Sequence, residues 1–136
     1  MPCTVRRTLL SATTLAGTLA ALLPSAARAQ AGPPHPVVGA ADIGGTVASP
    51  QGPEAGVWVI AETTDLPTKF AKIVVTDDAG RYVVPDVPKA RYKVWVRGYG
   101  LVDSPRVDGE PGRTLDLAAT PAPTPAAAAR YYPGTY

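Results

Sequence analysis

Between Asp42 and Ala119 apolar and polar residues alternate in short runs, separated by glycine, proline and aspartate. Alternation with period two is the mark of a strand with one buried face. "DIGGTVAS" (42–49) opens the series and "PQGPEAG" is the turn after it. "VWVIAET" (57–63), "KFAKIVVT" (69–76) and "RYVV" (81–84) follow, the last stopped by Pro85, which has no N–H for a ladder. "RYKVWVRGYG" (91–100) is the longest run, "SPRVDGEPGR" is read as loop, and "TLDLAA" (114–119) is a last strand. The phase of each run says what faces inward. Tyr92, Val94 and Val96 share one face, whereas Arg91, Lys93, Trp95 and Arg97 share the other, which must be the wet one. Val57, Val59 and Ala61 take the inner phase opposite Glu62, Tyr82 and Val84 oppose Arg81, and Ile43 lies beside Asp42. Trp58 and Trp95 both fall on the solvent phase.

Short strands at regular spacing with no convincing helix predict an all-β fold, a small antiparallel β-sandwich of about seven strands. Composition agrees: 16 prolines and 13 glycines in 136 residues leave little room for helix. The domain is expected over 42–119, after a proline-rich lead-in (30–41) and before a Pro/Ala linker with a Tyr-rich tail (120–136).

Residues 1–29 are read as a signal peptide. Arg6 and Arg7 form a basic start, an apolar stretch runs from Leu9 to Leu23, and Ala27-Arg28-Ala29 offers an A-x-A cleavage site. The twin arginines resemble a twin-arginine export signal, although the apolar stretch also suits general secretion. The expected location is therefore periplasmic or extracellular, with no membrane attachment after cleavage. Cleavage would turn a net charge of +2 into ten basic against eleven acidic residues. That leaves no basic surplus for a nucleic-acid partner. Cys3 would leave with the signal, so the remaining domain has no thiol or disulfide and must hold itself together by burial.

"VVTDDAGRYVV" (74–84) poses the sharpest chemical question. A calcium loop needs acids at alternate positions over a dozen residues, and Asp77 and Asp78 are adjacent. A catalytic pair needs two carboxylates converging on one bond, whereas neighbours in a turn diverge. The favoured reading is a hairpin, in which the Asp side chains bond nearby N–H groups and Gly80 supplies a positive φ. Elsewhere, catalytic material is sparse. His35 is the single histidine and sits in the lead-in, no P-loop or G-x-G-x-x-G spacing occurs, and no cofactor or metal site is expected.

The stretch from Val74 to Gly100 also resembles the core motif of carboxypeptidase regulatory-like domains: Thr76-Asp77-x-x-Gly80-x-Tyr82, a Val-Pro turn, then a Tyr-led strand ending at Gly98-Tyr99. Gly45-Thr46-Val47 and Gly56-Val57-Trp58-Val59 resemble its upstream pieces, so the match spans about 42–118. Ala90 departs from it where the family usually has glycine. The resemblance implies a transthyretin-like (prealbumin-like) seven-strand sandwich of carbohydrate-binding-like type, acting as a non-catalytic accessory module of secreted proteins. It does not imply peptidase activity, since the ligand histidines are lacking.

Three functions stay open. The first is a docking module, the leading domain of a longer protein, burying Trp58 and Trp95 against a neighbouring domain or protein. Tyr131, Tyr132 and Tyr136 would contribute, or would instead cap the module's own open end. The second is carbohydrate binding on a platform of Trp95 with Arg91, Lys93, Arg97 and Tyr99, unless Arg and Lys stems cover the ring. The third is a secreted enzyme whose catalytic part lies downstream. "GYGLVDSPRV" (98–107) is a plain strand-end turn or a binding edge, with unusual φ expected at Gly98 and Gly100.

Overall fold

The computed structural model describes residues 34–131. The expected signal peptide, the first part of the lead-in and the tail residues Tyr132 and Tyr136 lie outside the described residues. Every element named below lies within one compact unit.

The chain is mostly β. Its strands are β1 (Ile43–Ser49), β2 (Gly52–Pro53), β3 (Trp58–Thr63), β4 (Phe70–Val75), β5 (Arg81–Val84), β6 (Tyr92–Arg97), β7 (Leu101–Val102), β8 (Val107–Gly109), β9 (Arg113–Thr114), β10 (Leu117–Ala118) and β11 (Thr120–Pro121). Among the described residues one short helix, α1 (Pro125–Ala128), follows. One sheet has four antiparallel strands in the order β4-β3-β6-β8. The other is built around β1, which pairs antiparallel with β2 and β5 and parallel with β9 and β10. β7 and β11 form a separate antiparallel pair.

The two larger sheets share one core. Ile43 and Val47 of β1, Tyr82 and Val84 of β5 and Leu117 of β10 cluster with Val59 and Ala61 of β3 and Tyr92, Val94 and Val96 of β6. Those inward residues have the phase expected from alternation. Full burial of such side chains stabilises by about 1.5–3 kcal/mol each, which is what a thiol-free domain must rely on.

Four expectations change. The segment read as loop after Ser104 contains β8, because Val107 and Asp108 continue the ladder opposite Val94 and Lys93. The return at 114–119 is two short strands, parallel to β1, not one antiparallel strand. The break between them falls where Gly45 comes against the Leu115 backbone; a Cβ on Gly45 would lie 2.0 Å from the Leu115 carbonyl oxygen. Asp116 fills the gap there, its Oδ1 accepting from the Thr46 N–H at 2.9 Å and the Thr46 hydroxyl at 2.8 Å. The expected linker is structured over 120–131. Thr120 and Pro121 pair with β7, and Thr124 caps α1 by accepting from the Ala127 N–H at 3.1 Å. Finally, Gly98 does not take a positive φ. A Cβ there would lie 2.8 Å from the Val57 side chain, so its requirement is space, whereas Gly100 has φ 74 as expected.

Candidate functional site

The turn at 77–81 forms as read from its residues, but the expected hairpin does not: β4 pairs with β3 and β5 with β1, so the turn carries the chain from one sheet to the other. Asp77 Oδ1 accepts from the N–H groups of Ala79 (3.0 Å) and Arg81 (2.9 Å), and Oδ2 accepts from Arg81 Nε at 2.7 Å. These bonds, led by the Arg81 side chain, hold the exposed carboxyl below its ordinary range. Gly80 has φ 72, and a Cβ there would lie 2.5 Å from the Val47 carbonyl oxygen. Asp77 and Gly80 thus have structural roles, while Asp78 is exposed at the tip.

The outward face of the four-stranded sheet gathers most of the remaining candidates. Register places Trp58 between Val75 and Arg97, Ile60 between Ile73 and Trp95, and Glu62 between Ala71 and Lys93. Lys93 in turn pairs with Asp108 across to β8. Trp58, Lys93, Trp95 and Arg97 therefore share one surface. Arg91 meets this surface at its margin, lining a cleft with Lys93, Glu62 and Asp108, whereas Tyr99 does not join it. Arg91 lies at one end, 3.7 Å from Asp65, lining a cleft of about 760 Å³ with Lys89 and Glu110. Tyr99 is at the other end, 82% exposed, beside a smaller groove formed with Pro123 and Ala128.

The exposure expected for Trp95 is corrected. It points out of the sheet, yet only 5% of it is accessible. The guanidinium carbons of Arg97 and Arg106 lie over its ring at 4.9 and 4.8 Å from the centroid. Its indole N–H donates to Glu62 Oε1 at 3.2 Å, and Arg106 Nε donates to the same oxygen at 3.0 Å. Arg97 is itself held by a forked pair with Asp103, both bonds 2.8 Å. That pairing, opposed by partial burial, leaves its already high pKa higher still. Two cations over one indole, each anchored by a carboxylate, make a closed stack that favours the ring's electron-rich face. No ring surface is left there for a sugar.

Three apolar residues of this face are exposed. Ile73 is 54% exposed, Val75 57% and Trp58 37%, in adjacent rows of β4 and β3. Arg106, Glu62, Asp103, Ile73 and Val75 were absent from the sequence-based candidates. For Ile73 and Val75 a signal existed, since alternation within β4 puts both opposite Phe70 and Val74, which pack on the core. For Arg106 none did, because its contact with Trp95 depends on how the loop after β7 returns. Among the described residues no cluster of three or more His, Cys, Asp or Glu could hold a metal ion. Comparison of the chain with models of known families matches none of them, and comparison with curated proteins finds no similar sequence.

Proposed function

We propose that this chain is an exported, non-catalytic accessory module, a β-sandwich that docks to a neighbouring domain or protein through the outward face of its four-stranded sheet. The observation that carries the reading is the row of exposed Ile73, Val75 and Trp58 on rigid strands. Contiguous apolar residues on a sheet face, bordered by charge, are a common form of contact surface. The charged border is present here as Lys93–Asp108, Arg97–Asp103 and Arg106–Glu62. Its ions are already paired, so docking need not strip lone charges of water. The resemblance of 42–118 to carboxypeptidase regulatory-like domains points the same way. A secreted enzyme with its catalytic part downstream would use the same face against that part.

Benzoylphenylalanine in place of Trp58, in the chain as the cell exports it, tests the reading. Cross-linking to one defined neighbour, weakened by Val75→Asp, is the expected result. Absence of any cross-link, together with a tryptophan fluorescence shift on titrating neutral oligosaccharides that Trp58→Ala removes, would replace docking by sugar binding.

A further inference from the structure

β4 is an edge strand: among the described residues its ladder runs to β3 alone. The Thr76 N–H bonds to the Val57 carbonyl at 3.0 Å, which turns the Thr76 backbone toward the β3 side. Antiparallel alternation then turns the backbone groups of 70, 72 and 74 the same way and those of Ala71, Ile73 and Val75 away from β3, on the side that β5 approaches at the turn, where the Asp77 N–H donates to the Arg81 carbonyl at 3.0 Å. A strand carrying outward backbone groups and exposed Ile73 and Val75 side chains is a template for another strand.

We propose that the occupant of this edge is a second copy of the chain, paired antiparallel through β4 about a two-fold axis at Ile73. The register follows from the backbone. Ile73 faces its counterpart in a hydrogen-bonded pair, and Ala71 faces Val75 of the other copy. Both phases match, so all three side chains stay on the outward face. The same register sets Lys69, four residues before Ile73, at the other copy's Asp77–Asp78 turn, which begins four residues after it. Among the described residues neither the Lys69 ammonium nor the Asp78 carboxylate has a hydrogen bond or ion pair. The edge thus ends in an unpaired cation on one side and an unpaired anion on the other, and an antiparallel copy brings them together twice. This self-complementarity is what an isologous contact requires, and it favours a second copy over an unrelated strand.

Lys72 works against pairing, because an inward-pointing charge on an edge strand discourages partners. Its ammonium is tied to the Pro85 carbonyl oxygen, so it is held within its own subunit. The contact is accordingly reversible. The inference does not rest on the docking reading: pairing uses the edge of the sheet and docking its face. In the pair the two apolar faces become one, with Ile73 at the centre and a Trp58 on each flank.

Sedimentation of the full chain over a range of concentrations is the test. The expected result is a monomer–dimer equilibrium that Ile73→Lys abolishes by setting like charges opposite each other. Lys69→Glu should weaken it on the order of fivefold through two exposed pairs, and adding Asp78→Lys should restore it. Thermal unfolding of each variant checks that the fold is kept; Lys69 and Asp78 are exposed, so the charge-swap arm does not depend on Ile73→Lys folding. A monomer at every concentration up to the solubility limit overturns the proposal. So does a dimer indifferent to Ile73→Lys and to the charge swap, or an assembly that grows beyond two copies.

Discussion

Arg106 lies over the indole of Trp95, its guanidinium carbon 4.8 Å from the ring centroid, and the two side chains donate to the same oxygen of Glu62. Glu62 holds the cation in place over the ring, and the cation in turn excludes water from it. A tryptophan on the outward phase is thereby almost fully buried without entering the core.

Removing that cover should expose the indole. Arg106→Ala is expected to raise the quenching of Trp95 fluorescence by acrylamide and to cost about 1 kcal/mol of stability. Arg106→Lys should recover part of the charge effect but little of the shielding, since an ammonium is compact and offers no planar stack. The Trp58→Phe background isolates the signal.

The turn at 77–81 makes a steeper prediction. Gly80→Ala adds a Cβ 2.5 Å from the Val47 carbonyl oxygen at a position whose φ is 72. Strain at a left-handed position and a backbone collision act together, so the loss should reach about 2–3 kcal/mol or more. Ala79→Gly, one residue away, is the control expected to change stability far less. Urea midpoints at constant slope distinguish the two.

Asp77 predicts the direction of the acid response. Its folded carboxyl is held below the ordinary value of 3.8, so its contribution is fully present above that pH and is lost as pH falls through the folded value. Melting temperatures of the parent and of Asp77→Asn, taken from neutral pH downward, should therefore converge only in the acid region below the ordinary carboxylate range. A gap that stays constant to the lowest pH would contradict the ion pair with Arg81.

Tyr82 makes the alkaline counterpart. Its hydroxyl donates to the Leu115 carbonyl at 2.6 Å, and burial, helped by the nearby Asp116 charge, pushes its pKa well above 10. A raised folded pKa means a contribution intact below the unfolded value and lost as pH rises above it. Tyr82→Phe should cost about 1–2 kcal/mol at neutral pH by leaving the Leu115 carbonyl without its donor. The parent's stability should fall faster than the variant's above pH 10, where unfolded tyrosine ionises.

Much of the inner architecture was legible in the chain because strand alternation is a local property. Each residue's phase follows from its neighbours, which is why Tyr92, Val94 and Val96 could be placed inward and Lys93, Trp95 and Arg97 outward. The turn at Asp77–Gly80 was equally legible, since its side-chain bonds run over at most four residues and the positive φ of its glycine is a local backbone need.

Phase, however, says only which way a side chain points, not what arrives to cover it. Ser104 bonds back to Val96, its hydroxyl accepting from the Val96 N–H at 2.9 Å and its own N–H donating to the Val96 carbonyl at 3.1 Å. That rung returns the loop across β6 and brings Arg106 to Glu62, 44 positions away in sequence. The parallel return of β9 and β10 beside β1, and the open edge of β4, likewise depend on which strands become neighbours. Alternation along the backbone determined what each strand could bury; long-range pairing decided that Trp95 is closed while Ile73 and Val75 stay exposed.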